Sequence, residues 1–243
     1  MLIYFSGDSW TSTSFNFSDE QPSREQPLGN PDFPGITSSN ATNWIGYLTT
    51  KYNESFLQTY NLAVAGTTLD NHITDSYPVP VTEQIYQRFM PRYGEAYWTP
   101  WKKSDTLFIM FIGINDVSII NPIRGTALTE IDRKQGIMHT KLLSTLYGTG
   151  ARNFLLLNVP PLERCWQPPS VGQDVRDKYA SDVGTYNRRV QNVAEGLKAE
   201  FKDANVFHFD VNTLFNQALD DPSRFEQLSG ILNTTGFCPA YAS

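Results

Sequence analysis

Two cysteines, three histidines and no surplus of positive charge are the shortages that mark this 243-residue chain. Its 19 lysines and arginines stand against 25 acidic residues, a net charge of -6, which leaves no basic footprint for nucleic acid or for an anionic membrane surface. A small substrate, neutral or cationic, fits that balance better than a polyanion. No run approaches the ~20 apolar residues that cross a bilayer, and no charged-then-apolar leader stands ahead of Leu2. The sequence as it stands is therefore expected to be either an incomplete secreted chain or an intracellular protein.

Cys165 and Cys238 are too far apart for metal-ligand or CxxC spacing, and no cofactor or metal is expected. A disulfide closing so long a loop would contribute about 4 kcal/mol; two free thiols fit the sequence equally well. Asn16, Asn40, Asn53 and Asn233 each begin an Asn-X-Ser/Thr triplet, but in a chain this rich in Ser and Thr chance supplies nearly as many.

What is present is enough for one large domain: 40% hydrophobic and 13% aromatic residues. Leu2 to Phe5, Thr106 to Ile112, Asn153 to Leu157 and Val206 to Phe209 are short apolar runs bounded by polar turns, and Thr59 to Val64 is a weaker fifth. Continuous apolarity is what strands covered on both faces require. Between them, Ala41 to Tyr52 (after the capping pair Ser39-Asn40), Glu130 to Leu146 and Tyr179 to Phe201 carry helical spacing. Strands alternating with helices predict an α/β fold with a mostly parallel five-stranded sheet, its strand carboxyl ends along one rim. No repeat or linker divides the chain. The irregular segments Asp19 to Ser38, Asp70 to Pro80 and Pro160 to Val175 exceed ordinary connections and are expected to wall a substrate cleft.

Three places on the expected rim carry chemistry. Ser6-Gly7-Asp8-Ser9 breaks the first strand and puts the Ser9 hydroxyl where ligands bind in open α/β sheets. Alone, Ser9 reads better as a helix cap. A second place is Gly66, where a strand ends and a backbone N–H can approach a ligand. The third is Gly113-Ile114-Asn115-Asp116, where an amide and a carboxylate end the most apolar strand and need a polar site or hydrogen bonds.

Together the three resemble the GDSL or SGNH hydrolases, whose blocks run Gly-Asp-Ser, a glycine after the second strand, and Gly-X-Asn-Asp after the third. Gly7-Asp8-Ser9-Trp10-Thr11, Asn158-Val159-Pro160-Pro161 and Asp210 followed by Leu214-Phe215 look most like fungal carbohydrate acetylesterases and their plant relatives. The resemblance implies a three-layer, flavodoxin-like α/β/α fold, a single domain over 1–243, an extracellular setting and ester hydrolysis. It implies Ser9 as nucleophile, and the Ser9 and Gly66 N–H groups with the Asn115 amide as oxyanion donors. Asp8, Gly113 and Asp116 support the motif. Short acyl esters, plausibly acetyl groups on plant-wall sugars, are the implied substrates. Trp10, Trp44, Tyr97, Trp98, Trp101 and Trp166 offer faces for sugar rings, with Trp10 the substrate-binding candidate, although core packing is the default for any one of them.

A serine nucleophile needs a base, and the family's late Asp-X-X-His block is absent. His208 sits in an apolar strand as a core histidine, His139 lies mid-helix, and His72, in the loop after Gly66, is the least implausible substitute. Asp210 reads as a helix cap. We therefore expect a chain truncated at its carboxyl end, with the histidine on missing sequence or on a separate C-terminal fragment. Such a chain should position an ester yet hydrolyse it poorly, retaining roughly 10³ to 10⁴ over water. A carbohydrate-binding pseudoenzyme is the alternative that the absent histidine favours. A flavodoxin-like nucleotide-binding protein shares the architecture but needs a phosphate loop that this chain lacks.

Overall fold

The computed structural model describes residues 1–75, 79–94, 101–120, 122, 125–165 and 171–236. Five strands form one sheet in the order β2-β1-β3-β4-β5, every neighbouring pair parallel. They are β1 (Leu2–Gly7), β2 (Gln58–Asn61), β3 (Thr106–Phe111), β4 (Asn153–Leu157) and β5 (Asn205–Phe209). All five fall on the apolar runs read from the sequence. Parallel pairing forces long crossovers, and helices fill them: α1 (Trp44–Thr50), α2 (Val81–Glu83), a π-helical segment (Gln84–Phe89), α3 (Met90–Tyr93), α4 (Ile114–Ile120), α5 (Thr126–Gly148), α6 (Gln173–Glu200) and α7 (Val211–Asp220).

Alternate residues point to opposite faces of the sheet. On one face Tyr4 and Phe108 meet Phe89 of the π-helical segment edge-on, and Trp101 packs on both Phe89 and Phe108. On the other, Phe5 meets Trp44 of α1 at 5.4 Å between ring centroids. One apolar cluster runs through both layers, from Leu2 to Val211. A fully buried side chain such as Phe5 or Phe154 contributes about 1.5–3 kcal/mol.

Burial differs along the sheet. All six residues of β1 are buried, as two-sided cover requires. In β5 the pattern alternates instead: Val206 is 4% exposed, Phe207 55% and Phe209 46%. The expectation of continuous burial therefore fails at this edge strand, where the face that carries α1 at β1 is only thinly covered by the described residues.

α5 and α6 begin earlier than their apolar spacing indicates, at Thr126 and Gln173; one further boundary and one unexpected helical stretch have physical reasons. α1 begins at Trp44 rather than Ala41 because Asn43 is the cap, its side chain accepting from Gly46 N. The same Asn43 amide donates to the Thr11 and Ser12 carbonyls, fastening α1 to the chain just past Ser9. The helical stretch over 81–93, absent from the sequence reading, contains Pro91. A proline inside a helix removes a donor and crowds the preceding turn, and the π-helical turn lies directly before it.

The loop from Asp19 to Ser38 is only partly a cleft wall. Thr59 N donates to Pro27 O at 2.8 Å and the Gln58 amide to Pro22 O at 2.9 Å, so this segment seals the free edge of β2. Ser38, at its end, does reach the cavity described below.

Candidate active site

β1 ends at Gly7 and the chain turns sharply through Ser9. The turn is built by Asp8. Its carbonyl accepts from Thr11 N and Ser12 N at 3.1 and 2.9 Å, and its carboxylate from Trp10 N at 3.0 Å. This aspartate-centred turn exposes Ser9 at the strand's carboxyl end. The other Asp8 carboxylate oxygen is buried without a hydrogen-bond partner. Burial above all, with the nearby Asp116 charge adding to it, pushes the Asp8 carboxyl up to about 7.

Ser9 is half-buried and lines a cavity of about 620 Å³. Trp10, Trp44, Phe111, Phe209 and Phe215 give it an aromatic lining, and Ser38, Ser39, Thr42 and Asn43 a band of hydroxyl and amide groups. No histidine is among the residues lining it.

Strand register brings Gly66 and Asn115 to the same rim. Gly7 pairs with Phe111, four residues before Asn115, and its carbonyl accepts at 3.0 Å from Val64 N, two residues before Gly66. Gly66 is exposed with φ +77°. The Asn115 amide donates to Thr67 O at 2.8 Å, which joins the second and third segments directly. An Asn amide has two N–H donors, so one is left for a ligand.

Asp116, the neighbour of Asn115, points into the protein. Its carboxylate accepts from Leu69 N at 3.3 and 3.2 Å and from the Gln135 amide at 2.8 Å; that amide also donates to Thr74 Oγ1 at 2.8 Å. Burial pushes the Asp116 carboxyl up to about 6, and the Arg189 charge pulls the other way. Asp116 thus holds the 69–74 segment onto α4 and α5. Gly113 has a packing reason: with φ +128°, any β-carbon there would lie 2.2 Å from the Tyr186 ring, whose hydroxyl donates to Ile112 O at 3.0 Å. Gln135 carries no local sequence signal, since its partners lie far along the chain; Asn43 is legible locally as a cap, but its bonds to Thr11 and Ser12 are not.

The histidines are dispersed. The His72 ring is 96% exposed and sits 3.1 Å from Asp70. His139 is buried in α5, and desolvation lowers its pKa to about 3. His208 is half-buried with an unpartnered Nε2, so it is not the satisfied core residue expected. Asp210 caps α7 by accepting from Thr213 N, as expected, and is also bonded by the Asn158 amide at 2.8 Å.

Of the aromatic residues considered for sugar stacking, Trp10 and Trp44 line the cavity. Trp101 does not: it is buried and its indole donates to Tyr93 O at 2.7 Å. Tyr97, Trp98 and Trp166 lie outside the described residues. Cys165 is a free thiol, donating to Pro161 O at 3.2 Å; Cys238 lies outside the described residues. Among the described residues no group of three His, Cys, Asp or Glu is placed to hold a metal, and no helix is long and apolar enough to cross a membrane.

Comparison with known proteins adds four findings. The family model for GDSL-like lipase/acylhydrolase matches residues 3–242. An acetylesterase from Thermothelomyces thermophilus is 32% identical over 233 residues, 92% of this chain and 74% of that protein. The structure of a catalytic mutant of an acetylxylan esterase from Geobacillus stearothermophilus superposes with a TM-score of 0.54 at 16% identity, covering 93% of this chain and 84% of the other. An extracellular lipase from Streptomyces rimosus superposes with a TM-score of 0.50 at 12% identity, covering 89% and 82%.

Proposed function

The chain belongs to the GDSL-like lipase/acylhydrolase family, a carboxylic ester hydrolase, and we propose that Ser9 is its nucleophile. The observation that carries this reading is convergence: three distant segments meet at one rim, beside a cavity that Ser9 lines.

Hydrolysis runs in two stages. The Ser9 oxygen attacks the acyl carbon, its proton passes to a base, and the carbonyl electrons move onto oxygen. Collapse of that intermediate breaks the bond to the alcohol, which leaves with a proton. Water then attacks the acyl-serine in the same manner and releases the acid. Each stage develops negative charge on one oxygen, which the backbone N–H groups of Ser9 and Gly66 and the free N–H of the Asn115 amide stabilise. A fixed donor of this kind is worth roughly 2.7 to 4 kcal/mol of barrier.

The substrates we propose are short acyl esters, acetyl groups of plant-wall carbohydrates first among them. The named activities of the relatives support this, as do Trp10 and Trp44 in the cavity lining and the hydroxyl groups of Ser38, Ser39 and Thr42 beside them.

A fluorophosphonate probe, with acetate release from acetylated xylo-oligosaccharides, tests the reading. The wild-type chain should label at Ser9 and Ser9→Ala should neither label nor turn over. Because no histidine lines the cavity, added imidazole should accelerate the wild-type reaction and leave Ser9→Ala inert. Acetate release by Ser9→Ala at the wild-type rate would remove Ser9 from the chemistry.

A further inference from the structure

We infer that Gln84 is a positioning residue for the ester-hydrolysis site, its buried amide fixing the end of β1 from which Ser9 is presented. The inference rests on the Ser9 reading above.

Gln84 opens the π-helical segment and is fully buried. Its amide oxygen accepts from Gly7 N at 3.0 Å, and its amide nitrogen donates to Gly7 O at 2.9 Å. One side chain therefore meets both polar groups of a single backbone residue, as a neighbouring strand would.

Sheet geometry explains why a side chain is used. Pairing of β1 with β2 ends at Phe5 and Asn61; beyond it Leu62 N still reaches Phe5 O, and Val64 N reaches Gly7 O. The Gly7 N–H is left to the Gln84 amide. An orphaned buried N–H costs about 1–3 kcal/mol, which the inserted amide removes. The serine lip begins at this fixed Gly7, two residues before Ser9, while the facing chain runs on from Val64 to Gly66.

Gly7 cannot move away in the other direction. A β-carbon there would lie 2.4 Å from Phe111 O, so β1 is pressed against β3 at this point. The helix that carries Gln84 is tied to the loop after Gly66 as well: Val81 N donates to Thr68 O at 3.0 Å and Thr82 N to Leu69 O at 3.2 Å. Gln84 thus links the serine lip to the loop that carries Gly66. Donors placed for a developing oxyanion lose most of their effect when displaced by a fraction of an ångström to 1 Å, so loosening this link should lower the rate of the chemical step.

The decisive variant is Gln84→Met, which keeps length and volume and removes both hydrogen bonds to Gly7, along with a longer one to Val79 O at 3.4 Å. With p-nitrophenyl acetate the expected result is kcat lowered about 10- to 100-fold, KM within about twofold, slower fluorophosphonate labelling of Ser9, and a native circular dichroism spectrum. A folded variant with wild-type kcat and labelling rate overturns the inference. Gln84→Glu covers the case in which Gln84→Met does not fold. Protonated, the glutamic acid can accept from Gly7 N and donate to Gly7 O; ionised, it can only accept. Its kcat relative to wild type should therefore fall as pH rises, with Asp8 beside Gly7 common to both proteins. A ratio independent of pH, or failure of both variants to fold, makes Gln84 purely structural and overturns the assignment. Activity that survives in Ser9→Ala strikes the Ser9 reading itself, whatever the Gln84 variants do.

Discussion

The two flanks of Ser9 are held by different forces. On the β1–β2–β3 flank, outside the residues that line the cavity, the chain leaving the sheet is caught by buried or half-buried polar side chains: Gly7 by Gln84, Thr67 by Asn115, Leu69 by Asp116 and Thr74 by Gln135. On the β5–α7 side the cavity is bounded by apolar groups, Phe209 46% and Leu214 36% exposed, with Phe215 resting on Trp10 at 5.6 Å between ring centroids. Hydrogen bonds fix direction as well as distance, whereas apolar contact is non-directional and tolerates exchange of shape. The polar side suits a reaction that demands fixed donors, and the apolar side suits selection among substrates.

Three substitutions sharpen that contrast, and the largest effect belongs to the polar side. If Asn115 is the oxyanion donor we propose, Asn115→Ala should lower kcat about 10²- to 10³-fold with little change in KM, since such an amide meets the oxyanion rather than the bound ester. It also frees the Thr67 carbonyl, so a thermal melt belongs beside the kinetics. Unchanged kcat in a folded variant would end the distinction between the sides.

Next comes the buried acid under the turn. The folded pKa of Asp8, about 7, is raised above its ordinary value of 3.8 by burial first and Asp116 second. In the unfolded chain the proton leaves near the ordinary value; in the fold it is retained to about 7. The contribution of Asp8 to stability is therefore full below about pH 4 and is lost as pH rises through 7. Asp116, raised to about 6, acts in the same sense over a narrower window. Asp8→Asn should consequently stabilise the protein at pH 8 by on the order of 2 kcal/mol, a gain that vanishes near pH 4. Urea unfolding at the two pH values checks this; equal effects at both would show that Asp8 is not held protonated.

The smallest effect is expected on the apolar side. Phe215→Ala should raise KM for aryl or longer acyl esters about threefold to tenfold and leave kcat for acetyl esters close to wild type. A loss of kcat comparable to that of Asn115→Ala would show that both sides hold the chemistry.

Much of this was legible beforehand. The five strands, the short helix α1, the long helices α5 and α6, and the rim holding Ser9, Gly66 and Asn115 follow from apolar runs, capping residues and motif order, all of them local signals. The missed helical stretch over 81–93 is short, interrupted by a π-helical turn and holds Pro91, so its periodicity is broken. Trp101 takes the core position that is the default for any one of the aromatic residues considered for sugar stacking. His208 departs from the core role its apolar strand suggests because β5 is an edge strand, exposed on one face.

What the sequence determined by itself is the succession of strands and helices along the chain and the residue types delivered to the strands' carboxyl ends, because side-chain period and turn chemistry act over a few residues. Only the tertiary structure decided that Gln84 completes Gly7 and Gln135 completes Asp116, separated by 77 and 19 residues, and that no histidine lines the Ser9 cavity. Long-range hydrogen bonds leave no periodic trace in a chain; they exist because buried N–H, C=O and carboxylate groups must find partners once folding has removed the water.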